Sequence, residues 1–229
     1  MLAPPVAADV VHSAPGVRDL AFDGATIDGG LLTTITGWAH SAPPWFDDLV
    51  KYWSAYGIVI FAVYLGIAWW SARQHTPLMM ARVLVTPVTV VLVYVVNDLI
   101  KSVVQEVRPC RQLPHLYHLE ACQAPTDWAF PSNHTVVAFS AATALIIIDR
   151  RLGYVAVLTA IAMGASRMWV GAHYPHDVAA GVVVGVALAI PLTLAGGRFG
   201  EAAVERARLG RLKPVLTGPQ GRRRARVNA

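Results

Sequence analysis

The sequence predicts an all-α, polytopic membrane helical bundle. Three observations carry that prediction. Of 229 residues, 55% are hydrophobic and only 14% charged, where soluble domains average roughly 25% charged. The apolar residues gather in five long runs, and the basic residues are shared unequally between alternate loops. The same composition, with a mean hydropathy of +0.48, excludes a disordered chain, which would be poor in apolar residues. Two cysteines are too few for a disulfide scaffold. The length fits one compact membrane unit.

The first 50 residues carry several Pro, Gly and Asp and no uninterrupted apolar run. Leu31, Leu32, Ile35 and Trp38 fall between residues 29 and 45, which predicts an interfacial helix lying on the membrane. A sixth span there is the alternative. No basic stretch precedes an apolar one at the start, so no secretory signal is expected. A bilayer core needs about 20 apolar helical residues. The runs at 52–72, 82–100 (containing Pro87), 131–148, 152–166 and 175–195 supply five predicted spans, the fourth being the shortest. The expected organisation is therefore an N-terminal segment (1–50), a membrane unit (51–197) and a basic tail (198–229) that ends RRRARVNA.

Five spans alternate the loops between two faces. The face holding residues 73–82, 149–151 and the tail carries 13 of the 19 Lys/Arg and three of the 14 acids. The positive-inside rule places that face in the cytoplasm. The basic tail then reads as an orientation signal or an anionic-lipid contact, not as a nucleic-acid arm. Cys110 and Cys122 share the 101–131 loop on the predicted outer face, where an oxidising compartment permits a disulfide; two free thiols are the alternative. Trp45, Trp53, Trp69, Trp70, Trp128 and Trp169 suit interfacial aromatic belts. Gly181 and Gly185 read as a helix-packing pair. They and Pro191 could also shape a lateral groove for a lipid chain.

Charged groups at membrane spans are costly and mark function. Here they occupy three stretches, all at predicted outer span ends: Lys101 to Arg108-Pro109, Pro131-Ser132-Asn133-His134, and Ser166-Arg167 through His173 to His176-Asp177. Lys101, Arg108 and Arg167 are three fixed cations, and the arginine fork suits phosphate oxygens. Ser132 and Asn133 stand where the third span begins. There a hydroxyl, backbone N–H groups and the positive end of the helix dipole can seat an anion, and Ser132 can cap the helix. His173 and Asp177, four apart, share a helical face. The carboxylate would fix the imidazole tautomer and make His173 a nucleophile toward phosphorus. His134, from another span, could protonate the leaving oxygen and later activate water.

At these residues the chain resembles the type 2 phosphatidic acid phosphatase (PAP2) superfamily of lipid phosphatases. Lys101 to Pro109 matches the family's Lys, six residues, Arg-Pro. Pro131-Ser132-Asn133-His134 stands for Pro-Ser-Gly-His. Ser166, Arg167, His173 and Asp177 match Ser-Arg, five residues, His, three residues, Asp. The resemblance covers about residues 50 to 197. It implies a metal-independent, two-step mechanism without cofactors. His173 becomes phosphohistidine, Asp177 supports it, and His134 is the acid and base. Lys101, Arg108, Arg167, Ser132 and the Asn133 backbone hold the phosphoryl oxygens. Pro131 and Ser166 are supporting residues of these motifs; His176 stands next to the third motif but outside it and reads as a rim or supporting residue. Asn133 departs from the family glycine; Asn tolerates the positive φ that glycine allows, so Asn133→Gly is expected to retain activity.

Lys101 and Arg108 could merely snorkel to the interface. His134 could be an ordinary interfacial histidine. His115, His118 and Glu120 could hold a metal, but their loose spacing favours a solvated loop. Asp98 and Glu106 are expected to pair with nearby cations. The resemblance and topology together imply a phosphatase facing the outer leaflet and acting on lipid phosphate. Polyprenyl diphosphate is the first expected substrate, and phosphatidylglycerophosphate or phosphatidate the alternative. A non-catalytic lipid-phosphate binder or carrier would not need His173, His134 and Asp177 together. The apolar spans argue against a soluble vanadate-dependent haloperoxidase.

Overall fold

The computed structural model describes residues 23–218. The RRRARVNA end of the tail and the first 22 residues lie outside that range. The described chain runs α1 (Ala25–Ser41), α2 (Pro44–Tyr56), a 3₁₀ turn (Gly57–Val59), α3 (Ile60–Ala72), α4 (Pro77–Val104), α5 (Pro109–Gln112), α6 (Asn133–Ile148), α7 (Arg150–Trp169), α8 (Pro175–Leu209) and α9 (Lys213–Leu216). No strand occurs among the described residues.

Local chemistry sets the helix ends. Proline opens α2, α4, α5 and α8 in the first turn, where its fixed φ and missing N–H are harmless. The Thr76 hydroxyl caps α4 by accepting from the Met79 N–H (3.2 Å). Asp149 caps α7 by accepting from the N–H groups of Arg151 and Leu152 (2.8 and 3.2 Å). Gln105 ends α4 in the left-handed conformation (φ 53°).

Among the described residues, four helical stretches are long and apolar enough to cross a membrane: Pro44–Ala72, Pro77–Gln112, Arg150–Trp169 and Pro175–Leu209. The fifth expected span, α6, has only 16 residues, about 24 Å of helix. The expectation that the fourth span would be shortest is therefore corrected: α7 has 20 residues. The reason lies in position. α6 is the centre of the bundle, with nine of its residues buried, so protein rather than lipid surrounds much of it. Gly181 and Gly185 of α8 press on it. A Cβ at either would stand 3.0 Å from the Ser132 carbonyl oxygen or 2.9 Å from that of Val136. These glycines serve helix packing.

The bundle is inverted relative to a water-soluble one. Its buried positions include many small residues (Ala68, Ala138, Ala142, Ala156, Ala160). Leu92, Leu99, Leu158, Ile161 and Val183 face outward, as lipid-facing side chains do. Trp45 and Trp70, near opposite ends of the α2–α3 stretch, are both exposed. At one end of the bundle Arg73 donates to the Pro214 carbonyl (2.7 Å), and Arg208 to those of His75 and Ala72. The two basic segments thus share a face. The expected interfacial helix is α1. Its Leu32 packs with Leu116 and Tyr174 at the other end.

Candidate active site

The three charged stretches converge at the end opposite Arg73 and Arg208. The Ser132 N–H donates to the Asp177 carbonyl (3.1 Å), which ties the start of α6 to the start of α8. A cavity of about 300 Å³ opens there. It is lined by Arg108, Asn133, His134, Arg167 and His173, with Lys51, Glu120 and Asp127.

His173 sits in the tight connection between α7 and α8 and is 2% exposed. Its Nδ1 is 3.2 Å from Asp177 Oδ2, and its Nε2 is 3.0 Å from an Arg108 guanidinium nitrogen. Arginine can only donate. Nε2 is therefore the acceptor, and the Nδ1 proton points to Asp177. The pair selects the neutral tautomer with its lone pair at the cavity wall. Burial, and then the positive fields of Arg108 and Arg167, hold this imidazole well below its ordinary value of 6.5. Asp177 itself belongs to the first turn of α8. Its Oδ2 also accepts the Tyr174 N–H (2.9 Å), closing the helix end.

The cations are paired with loop carboxylates. Arg108 reaches the Asp127 carboxylate and carbonyl (both 2.9 Å) and the Ala172 carbonyl (3.1 Å). Arg167 forks onto Glu120 (2.9 and 3.2 Å) and donates to the Ser54 hydroxyl. Burial opposes ionisation of Asp127, yet Arg108 and then Lys101 hold its carboxyl below the usual value. Cys110 and Cys122 form a disulfide (Cα–Cα 5.9 Å) that closes the loop between Arg108 and Asp127.

Not every expected residue reaches the cavity. Lys101 lies behind Asp127 (3.6 Å), donates to the Trp128 carbonyl (2.6 Å), and lines an adjoining cleft instead. Ser132 is fully buried; its hydroxyl accepts from Thr135 (3.0 Å) and makes no side-chain cap. The Ser166 hydroxyl donates back to the Met163 carbonyl within α7 (2.7 Å). Asn133 is the first residue of α6. Among the described residues the one non-glycine positive φ is at Gln105, so Asn133 needs none of the glycine freedom expected of it. The expected cation partner of Glu106 is His176 (3.0 Å). Glu120, in the loop with His115 and His118, binds Arg167. Glu106, His176 and Asp177 each offer one atom within 4.8 Å of the others, a spacing a metal ion could use.

Sequence reading missed Asp127, Lys51 and Asn97. Asn97 is fully buried and donates to Asn133 Oδ1 (2.6 Å) and the Pro131 carbonyl (3.3 Å). A signal existed: Asn97 is a lone amide in an apolar run, four residues before Lys101.

A helical membrane bundle with an arginine-lined anion cavity and a buried His–Asp pair at one mouth defines the class of membrane phosphate-ester enzymes. Comparison gives the family: residues 82–200 match the model of the PAP2 superfamily, and the chain belongs to it. Undecaprenyl-diphosphatase BcrC of Bacillus subtilis is 33% identical over 144 residues, 61% of this chain and 69% of that protein. The bacitracin transport permease protein BcrC of Bacillus licheniformis is 29% identical, over 63% of this chain and 68% of its own length. Lipid A 1-phosphatase of Rhizobium etli is 49% identical over 59 residues, 25% of each chain. The crystal structure of Aquifex aeolicus LpxE has the same fold, with a TM-score of 0.55 at 20% identity, covering 72% of this chain and 94% of that one.

Proposed function

We propose that this protein hydrolyses a polyprenyl diphosphate to the monophosphate at the extracytoplasmic face, through a phosphohistidine at His173. One observation carries the chemistry. The acceptor Nε2 of His173 lies at the wall of the cation-lined cavity, while Asp177 holds the opposite nitrogen.

Nε2 attacks phosphorus and His134 protonates the departing lipid monophosphate. Asp177 stabilises the positive charge that His173 acquires. Arg108, Arg167 and the N–H groups that open α6, which have no intrahelical acceptor, stabilise the equatorial oxygens. Water activated by His134 then releases inorganic phosphate. Asp127 and Glu120 hold the cations in place, and the entering phosphate competes with them for the same guanidinium groups. Lys101 contributes through Asp127. No step draws on a metal.

The lipid reading has its own support. The α6 row Asn133, Val137, Ala141, Leu145 runs from the phosphate cavity into an apolar cavity of about 290 Å³ between α3, α4 and α6. A chain attached to a bound phosphate can follow that row. The polyprenyl identity rests on the undecaprenyl-diphosphatase relative. The short, closer match to a lipid A 1-phosphatase favours a second reading, a phosphate monoester on a larger lipid. Outward orientation rests on the charge asymmetry of the loops. The phosphatase unit is residues 51–197, with 1–50 outside and 198–229 in the cytoplasm.

Phosphate release from detergent-solubilised polyprenyl diphosphate, phosphatidate, phosphatidylglycerophosphate and lipid A tests this, run with EDTA and with His173→Ala. Turnover of polyprenyl diphosphate that is EDTA-resistant and absent in the variant is expected. Turnover that chelation abolishes contradicts the metal-free route.

A further inference from the structure

Behind Asp177, on the side away from the cavity, a second histidine is held by carboxylates from three different parts of the chain. His176 Nδ1 is 2.7 Å from Asp28 of α1, and the His176 backbone N–H donates to the other oxygen of the same carboxylate (2.8 Å). His176 Nε2 is 3.0 and 3.2 Å from the two oxygens of Glu106, in the connection after α4. The same nitrogen stands 3.7 Å from the buried Asp177 Oδ1. The ring lies between Tyr174 (centroids 5.4 Å apart, planes 14° apart) and Phe130 (6.0 Å, 28°).

A neutral imidazole has one donor and one acceptor nitrogen. Here both nitrogens face carboxylates, which only accept when ionised. Two aromatic faces add an environment that favours a cation. Glu106 and Asp177 are both fully buried, and neighbouring buried carboxylates call for a positive charge between them. Among the described residues, the charges facing the ring are Asp28 from α1, Glu106 after α4 and Asp177 from α8. An imidazolium supplies positive charge between these three carboxylates.

We propose that His176, held by Asp28 and Glu106, is a positioning residue: as an imidazolium it keeps Asp177 ionised, so that Asp177 accepts the Nδ1 proton of His173. α1 thereby belongs to the active site. The helix is bent at Asp28 (φ −145°, ψ 22°), within its first turn, where this carboxylate meets the start of α8. This proposal rests on His173 being the nucleophile.

The test combines kinetics with a spectroscopic readout in the full-length protein. In His176→Gln, kcat for polyprenyl diphosphate should fall about 30-fold at neutral pH, with KM unchanged. The acidic limb of the rate profile should move upward, because Asp177 beside an unneutralised Glu106 takes up a proton. Glu106→Gln combined with His176→Gln should recover most of the rate, since it removes both the cation and the carboxylate it neutralises. The ¹⁵N-histidine spectrum of the unaltered protein should show one imidazole doubly protonated in weakly alkaline buffer, and that signal should vanish in His176→Gln. Unchanged kcat and profile in His176→Gln, a loss that the double variant deepens, or no doubly protonated imidazole would each overturn the proposal. If His176→Gln does not fold, Asp28→Asn decides by the same readouts, with a smaller loss expected. If the unaltered protein turns over none of the lipids, the phosphatase reading fails while the spectrum still judges the charge on His176.

Discussion

The two sides of His173 are built from opposite charges. Toward the cavity its Nε2 meets Arg108, with Arg167 and Lys51 on the same walls. Toward the interior its Nδ1 meets Asp177, with Glu106 and Asp28 beyond. The field across the ring therefore draws the Nδ1 proton inward and leaves the lone pair outward. A phosphorylated ligand adds negative charge on the cationic side. The imidazolium formed by attack on phosphorus is stabilised on the anionic side. Each side is also anchored differently. The cations are held by a loop that a disulfide closes, and the carboxylates by the starts of helices α1 and α8 and the connection after α4.

The strongest way to break this comparison is to remove the ring. His173→Ala should lower kcat/KM by at least about 10⁴-fold, measured as phosphate release, with folding intact by thermal melt. On the cationic side, Arg167→Ala should cost about 10² to 10³-fold. Arg167→Lys should recover little, because an ammonium cannot reproduce the fork onto Glu120 and phosphate. Full activity in Arg167→Lys would show that point charge suffices.

The pH profile sharpens the same contrast. His173 titrates well below 6.5 because of burial and then the adjacent arginines. The neutral, active form persists down to its folded-state value and is lost only as pH falls through it. The acidic limb set by this residue should therefore lie below pH 6.5. Replacing Arg108 with Gln removes one positive neighbour and should shift that limb upward. The smallest effect is expected at Asn133→Gly, within about threefold in kcat. Asn133 is not in a glycine-type conformation, and Asn97 keeps its bond to the Pro131 carbonyl. A hundredfold loss there would place the Asn133 amide among the groups that stabilise the transition state.

Much of this was legible in the sequence. Five apolar runs and three charged stretches at one set of span ends single out Arg108, Asn133, His134, Arg167 and His173, which line one cavity in the structure. Helix periodicity alone paired His173 with Asp177. The rest depended on tertiary placement. Ser132 looked like an anion donor, but packing of α6 under Gly181 turns its hydroxyl inward to Thr135. Lys101 is on the right helix end, yet a loop carboxylate stands between it and the cavity. Asp127, Glu120 and Asp28 belong to stretches with no periodic signal, so nothing in their spacing tells which cation they meet. The short α6 escaped the expected span order because its burial by other helices, not its length, keeps it from lipid.

Rapid mixing with polyprenyl diphosphate, followed by an alkaline quench and peptide mass spectrometry, tests the central claim most directly. The account predicts a phosphoryl group on His173 that is absent in His173→Ala. A phosphoryl group on another residue, or turnover without any phosphoenzyme, would contradict it.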